Sequence, residues 1–203
     1  MPSTRLLLVR HGETVWNREG LLQGQADVPL SEVGRAQAMA VAAALRDERL
    51  DAAYASDLGR AMETAQICLS GHGLVVVPDC GLRERNFGVW QGKSRAEISA
   101  EMTGRDLGLT PGNLDIVPEG GEAWDDVQAR VAAVLRQIVS RHAGQTVVVV
   151  GHGGSLRASF CALLGVSAEV RRSLRVDNGC ICEFDVRPEG TYLVRWNDTH
   201  HME

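Results

Sequence analysis

The chain has 203 residues, 44% hydrophobic and 23% charged, with a formal net charge of −5. A chain of this length buries about 70% of its extended surface, so it is expected to fold as one domain over 1–203 without staples or a metal. The composition excludes disorder and fibrous repeats. No apolar run approaches the roughly 20 residues of a transmembrane helix, and the acidic balance argues against nucleic acid or an anionic membrane as partner. No signal-like apolar stretch precedes Arg10-His11. Five cysteines without a CxxC spacing read as reduced, buried thiols. Both features predict a cytoplasmic protein. Twenty of the 21 basic residues are arginine, Lys93 being the exception.

In chain order, residues 5–10 form a short apolar run that stops at a polar, glycine-containing turn and read as a buried strand. Ser31 caps a helix through the alanine-rich segment to about Arg49. Residues 51–56 give a second strand, and Asp57 is expected to cap a helix carrying Leu58, Ala61, Met62, Ala65 and Leu69 on one face. Residues 73–78 give a third strand. A short helix follows around Arg95–Met102, then a Gly/Pro-containing loop; residues 93–118 read as a substrate lid. Helical spacing of Trp124, Val127, Val131, Leu135, Ile138 and His142 predicts a long helix from about Glu122. Residues 145–150 are β-branched and apolar, as in a central parallel strand, and Leu156, Phe160, Leu163 and Leu164 mark the next helix. Two alternating segments, 179–186 and 191–197, complete the sheet, and Cys180 and Cys182 share a strand face. The terminal His200-His201 is expected to be disordered. Strands alternating with helices predict a three-layer α/β/α sandwich with a mainly parallel central sheet.

Ligands of such sheets bind beyond the carboxyl ends of the strands. Three polar clusters stand at those ends: Arg10-His11-Gly12-Glu13-Thr14, Ser56-Asp57-Leu58-Gly59-Arg60 and Gly151-His152-Gly153-Gly154. Brought together, they place two imidazoles and two guanidiniums at helix N-termini, a combination suited to phosphate oxygens. Each cluster alone is weak evidence; their coincidence at three strand ends is specific. His72, His142, His200 and His201 have no partner at a meaningful spacing, and neither cofactor nor metal is called for.

The segment Leu8-Val9-Arg10-His11-Gly12-Glu13-Thr14 resembles the signature of the histidine phosphatase superfamily, which holds cofactor-dependent phosphoglycerate mutases and many small phosphatases. The resemblance continues through Trp16-Asn17, Leu22-Gln23-Gly24, Asp27-Val28-Pro29-Leu30-Ser31 and Ser56-Asp57-Leu58-Gly59-Arg60-Ala61. It resumes at Leu82-Arg83-Glu84-Arg85-Asn86-Phe87-Gly88, Pro118-Glu119-Gly120-Gly121-Glu122 and the GHGG turn, and so covers nearly the whole chain. Ala123 departs from the serine that many relatives carry there, a helix cap or pocket neighbour.

The resemblance implies that His11 attacks phosphorus and forms a phosphohistidine. Arg10, Arg60 and His152 would then hold the equatorial oxygens. Asn17, Gln23 and Gly153 would contact the substrate. Glu84 would protonate the leaving alkoxide and later deprotonate water, unless it merely pairs with Arg83 or Arg85. Glu13 would orient the nucleophile or its neighbours, and Trp90 would line the substrate mouth or pack in the interior.

The expected function is a metal-independent phosphatase acting on a small phosphorylated metabolite, as a monomer or a homodimer. The alternatives are a 2,3-bisphosphoglycerate-dependent phosphoglycerate mutase, a non-catalytic phosphate-binding module, and a metallohydrolase using His11, His152 and Glu84. A short lid between Gly92 and Pro118 favours hydrolysis over a mutase, which must exclude water. The intact reactive set argues against the module. The arginines, which repel a cation, argue against the metallohydrolase.

Overall fold

The computed structural model describes residues 2–102 and 116–203. Six strands form one sheet: β1 (Thr4–Arg10), β2 (Ala52–Ala55), β3 (Val76–Pro78), β4 (Thr146–Gly151), β5 (Ile181–Arg187) and β6 (Gly190–Asp198). Their order is β3-β2-β4-β1-β5-β6, the first four parallel and the last two antiparallel. The helices are α1 (Val15–Glu19), α2 (Glu32–Leu45), α3 (Gly59–Cys68), α4 (Arg95–Met102), α5 (Trp124–Arg141) and α6 (Gly153–Leu164).

Strand alternation divides the core. Leu6, Leu8, Val147 and Val149 pack toward α5 and α6, while Leu7, Val9, Val148 and Val150 pack toward α2 and α3. All eight are buried, each worth about 1.5–3 kcal/mol of apolar transfer. The expected three-layer α/β/α sandwich with a mainly parallel sheet is present. No described helix is long and apolar enough to cross a membrane.

Register positions the site. Arg10 stands opposite Gly151, and both Val9 and Ala55 stand opposite Val150, so three strands end at one level. At that level α2 passes close behind the first turn. A Cβ on Gly12 would come 2.2 Å from the Gly34 carbonyl oxygen, so only glycine fits there.

Several local expectations are corrected. Helix α1 was not foreseen; Thr14 and Asn17 form a reciprocal capping box, and Gly20 closes the helix at φ 73°. Helix α2 ends at Leu45 rather than near Arg49, and β3 begins at Val76 rather than residue 73. Asp57 does not cap α3. Its carboxylate accepts two bonds from Arg83, at 2.7 and 2.6 Å, and the capping position falls on Leu58, which has no side-chain acceptor. Gly59 is the first residue of α3, where its low helix propensity costs little, and a Cβ there would sit 2.8 Å from Asp27 Oδ1. Ala123 caps α5 and has no side chain to accept a bond, the task a serine would perform.

Four cysteines are buried, with Cys180 and Cys182 in the same core cluster, but Cys80 is exposed. His142 has partners after all, bonding Tyr54 Oη at 2.9 Å and Gln145 Oε1 at 2.6 Å. His200–Met202 form an ordered turn, and His201 Nε2 donates to the Gly179 carbonyl at 3.0 Å. Of the lid expected at 93–118, residues 103–115 lie outside the described residues; α4 tucks Ile98 against Phe87 and Trp90.

Candidate active site

His11 follows the last residue of β1 and is 3% exposed. Its Nδ1 donates to the Gly12 carbonyl at 2.6 Å, which leaves the lone pair on Nε2. Nε2 accepts a long 3.3 Å bond from Arg60 Nε. Burial first, then the positive charges of Arg60 and Arg10, push the imidazole well below its ordinary 6.5. A neutral ring at the cavity wall, its Nε2 lone pair held only by one long bond from Arg60, can serve as a nucleophile.

Arg60 enters from the first turn of α3 and is fully buried. Its terminal nitrogens donate to the carbonyls of Ala26 at 2.8 Å and Gly24 at 2.7 Å. Burial brings its pKa down to about 10, so it keeps its charge at neutral pH. Arg10 donates to the Val176 carbonyl at 2.6 Å, while its Nε is buried without a partner. His152 follows β4 and is fully buried, with neither ring nitrogen partnered, its ring 5.1 Å from that of His11. Burial, then Arg60, hold it well below 6.5 as well. The Arg10 Nε–H, a buried donor left unpaired, is costly, and an anion at this point would satisfy it together with the one N–H of the neutral His152.

Asn17 comes from α1. Its Oδ1 accepts from Thr14 N and Thr14 Oγ1, both at 3.1 Å, and from Asn178 Nδ2 at 3.2 Å. With the oxygen engaged three times, Nδ2 is left for the cavity that Asn17 lines. Gln23 lines the same cavity with a buried, unpartnered Oε1; turning the amide over presents its Nε2 to an anion.

Glu84 approaches from the other side. Its Oε2 accepts the Gly154 N–H at 2.9 Å and its Oε1 the Arg85 N–H at 2.8 Å. A Cβ on Gly154 would overlap Oε1, so the GHGG turn is glycine-rich partly to admit this carboxylate. Glu84 is not the partner of Arg83, which holds Asp57. The Arg85 guanidinium donates to the carbonyls of Glu122 at 2.8 Å and Ile116 at 2.7 Å, and it stacks on Phe87 and Trp124. Arg130 of α5 donates to the carbonyls of Gly81, Arg83 and Glu84 at 3.0, 2.6 and 2.9 Å, clamping the turn that carries the acid.

A cavity of about 310 Å³ opens here. Arg10, His11, Asn17, Gln23, Arg60, Glu84 and Gly153 line it, and the fully buried His152 ring stands 5.1 Å from that of His11. The structure thus gathers the sequence-expected residues around one point. Glu13 does not join them; its carboxylate accepts from Ser31 Oγ at 2.9 Å and braces the start of α2. Trp90 is 6% exposed and packs with Phe87 and Ile98 rather than at the mouth. Sequence reasoning missed Arg157, which also lines the cavity, and Asn178, which donates to the His11 carbonyl at 3.0 Å as well as to Asn17. Arg157 was within reach, lying one turn beyond Gly153 on a helix already read; Asn178 sits in a loop with no periodic signal. Among the described residues, no three His, Cys, Asp or Glu side chains converge as a metal site.

The profile of the histidine phosphatase superfamily (branch 1) matches residues 6–199. The chain belongs to that superfamily and is a phosphoric monoester hydrolase of its phosphatase class. Among its relatives is a metal-independent phosphoserine phosphatase from Arabidopsis thaliana, 37% identical over 98% of this chain and 83% of that protein. A phosphoglycerate mutase-like protein 4 from the same plant is 36% identical over 98% of this chain and 86% of its own length. Of the solved structures, that of Bacillus stearothermophilus YhfR superposes with a TM-score of 0.90 at 35% identity, covering 98% of this chain and all of that one.

Proposed function

We propose that this chain hydrolyses a small phosphorylated metabolite, without a metal, through a phosphohistidine on His11. The observation that carries the reading is a neutral, buried His11 beside the unpartnered, buried Arg10 Nε–H donor and the neutral ring of His152, which has one N–H to give. In the first step the Nε2 lone pair attacks phosphorus, the ester P–O bond breaks, and the protonated carboxyl of Glu84 gives its proton to the leaving alkoxide. In the second step Glu84 takes a proton from water, the resulting hydroxide adds to phosphorus, and the P–N bond breaks to restore His11 and release phosphate. Arg10, Arg60 and His152 hold the three equatorial oxygens, with Asn17, Gln23 and the Gly153 N–H beside them. Most of the rate gain in phosphoryl transfer comes from such positioning and charge stabilisation. Four buried thiols suit a reducing, cytoplasmic setting.

The test is phosphate release from a panel of phosphorylated metabolites. His11→Ala is expected to abolish turnover while the far-UV spectrum and melting temperature hold. Wild-type activity is expected to survive exhaustive EDTA treatment. Retained activity in the variant, or a loss on chelation that Mg²⁺ or Zn²⁺ restores, contradicts the reading. One relative's mutase-like name favours a second activity. Conversion of 3-phosphoglycerate to 2-phosphoglycerate, followed beside phosphate release, decides between them.

A further inference from the structure

The Pro118–Glu122 turn is among the motifs of the chain, yet neither Glu122 nor its ion-pair partner Arg130 on α5 is among the described residues lining the active-site cavity. What the two side chains hold is the backbone that carries Glu84. Residues 83–87 belong to no helix or strand, so their N–H and carbonyl groups have no ladder to join. Arg130 commits all five N–H groups of its guanidinium there. Nε and Nη2 donate to the two Glu122 carboxylate oxygens at 2.8 and 3.0 Å. Nη1 donates to the carbonyls of Gly81 and Arg83, and Nη2 also to that of Glu84.

Glu122 takes up the other side of the acid. Its Oε2 accepts the Asn86 N–H at 2.8 Å, and its own N–H donates to the Asn86 carbonyl at 2.9 Å. Gln25 Nε2 ties the two sides together, donating to the Glu84 carbonyl at 3.1 Å and to Glu122 Oε2 at 3.3 Å. A Cβ on Gly121 would come 2.9 Å from the Asn86 carbonyl oxygen, so glycine lets the turn close on this segment. The pair is unlike a loose surface contact: it is bidentate, and its side chains are only 20% and 23% exposed. Burial raises the Glu122 carboxyl, but the bonds from Arg130 and the Asn86 N–H outweigh it and hold it below its ordinary 4.5, so the pair stays charged at neutral pH.

We infer that Glu122 and Arg130 are positioning residues for the reaction: as one ion pair they fix the backbone from Arg83 to Asn86 and so aim the Glu84 carboxyl at the leaving oxygen. This rests on the phosphatase reading, with Glu84 as its general acid, and adds the device that holds the acid in place. Proton transfer needs the donor within about 2.6–3.2 Å of the oxygen it protonates. A misplacement of about 1 Å can cost on the order of 10²-fold. Loosening the pair therefore shows where the proton matters and is nearly silent where it does not.

Rapid-quench measurement of phosphoenzyme formation tests it, with the best alkyl ester of the metabolite panel and with p-nitrophenyl phosphate. Arg130→Met is expected to lose roughly 10–100-fold with the alkyl ester and less than about 3-fold with the aryl one. Placed on top of Glu84→Gln, the same change is expected to cost less than about 3-fold with either ester, because the proton it would aim is already gone. Arg130→Lys is expected not to restore the alkyl rate, since one ammonium cannot replace the planar fork. Glu122→Gln keeps the shape of the side chain and is expected to show the same selective loss at smaller size; it carries the test if Arg130→Met does not fold. Equal losses on the two esters, or a full further loss in the Glu84→Gln background, overturn the inference and leave the pair a structural brace. A Glu84→Gln protein that treats both esters alike removes the acid and the inference with it, while wild-type turnover keeps the phosphatase reading standing. Wild-type protein that hydrolyses no alkyl ester of the panel overturns that reading itself.

Discussion

The two halves of the cavity are built differently. The inner half, with Arg10, His11, Arg60 and His152, hangs from the ends of β1, β2 and β4, whose register is fixed by a sheet buried on both faces. The outer half, with Glu84, Phe87, Arg95, Trp124 and Arg157, is held by side chains on backbone carbonyls: Arg130 on the Glu84 turn, Arg85 on residues 116 and 122, Arg157 on Leu174. A one-residue slip in the sheet would turn every core side chain outward, so the inner geometry cannot drift without unfolding. Loops fastened by a few side-chain hydrogen bonds, each worth about 1 kcal/mol, can exchange residues one at a time. On the proposed reading, the phosphoryl chemistry sits on the rigid half and the rest of the substrate meets the adjustable one.

The sharpest way to break that comparison is to cut each half in turn. Arg60→Ala is expected to lower phosphoenzyme formation by about 10²–10³-fold alike for an alkyl phosphate and for p-nitrophenyl phosphate, because both present the same oxygens. Glu84→Gln is expected to cost about 10²–10⁴-fold with the alkyl ester and far less with the aryl one, whose leaving group departs without a proton. Rapid-quench burst amplitudes and rates read both. Equal losses for Glu84→Gln on the two esters would leave the carboxylate as no more than a brace for the Gly154 N–H.

A second effect concerns stability. His11 and His152 are buried neutral, whereas in the unfolded chain both take up a proton near pH 6.5. The native state therefore loses stability as pH falls below about 6.5 toward the lowered native values, by about 1.4 kcal/mol per pH unit for each histidine. Urea unfolding of His152→Asn is expected to show a slope shallower by that amount between pH 6 and 5. An unchanged slope would mean that His152 protonates in the folded protein.

A smaller change sharpens the line between the halves. Asn178 reaches from the loop before β5 to Asn17 and to the His11 carbonyl, so it positions the inner cradle from outside it. Asn178→Ala is expected to raise KM and the inhibition constant for inorganic phosphate by about 10-fold, with kcat changed less. The isosteric Asn178→Asp lacks the donor and is expected not to restore them. Rescue by aspartate would assign Asn178 to loop packing alone.

The inner half was readable in the chain because apolar runs stop abruptly at polar residues, and a parallel sheet must gather such ends. Glu84 was reached only through the resemblance of the segment around it, since a carboxylate between two arginines reads equally well as their partner. Asp57 was misjudged as a cap because the sequence does not show that Arg83, far along the chain, claims its carboxylate. Helix α1 escaped notice because its five residues bury no side chain and leave no apolar period. Asn178 and Arg130 escaped for a related reason: their roles consist of bonds to distant backbone, which neither periodicity nor composition records.

The account turns on one atom, Nε2 of His11. Wild-type protein mixed with a substrate labelled in its phosphoryl group, and quenched during turnover, is expected to carry label that is acid-labile, base-stable and confined to the peptide containing His11. Product formation with no labelled protein at any quench time, or label that survives acid or maps to another residue, would contradict it.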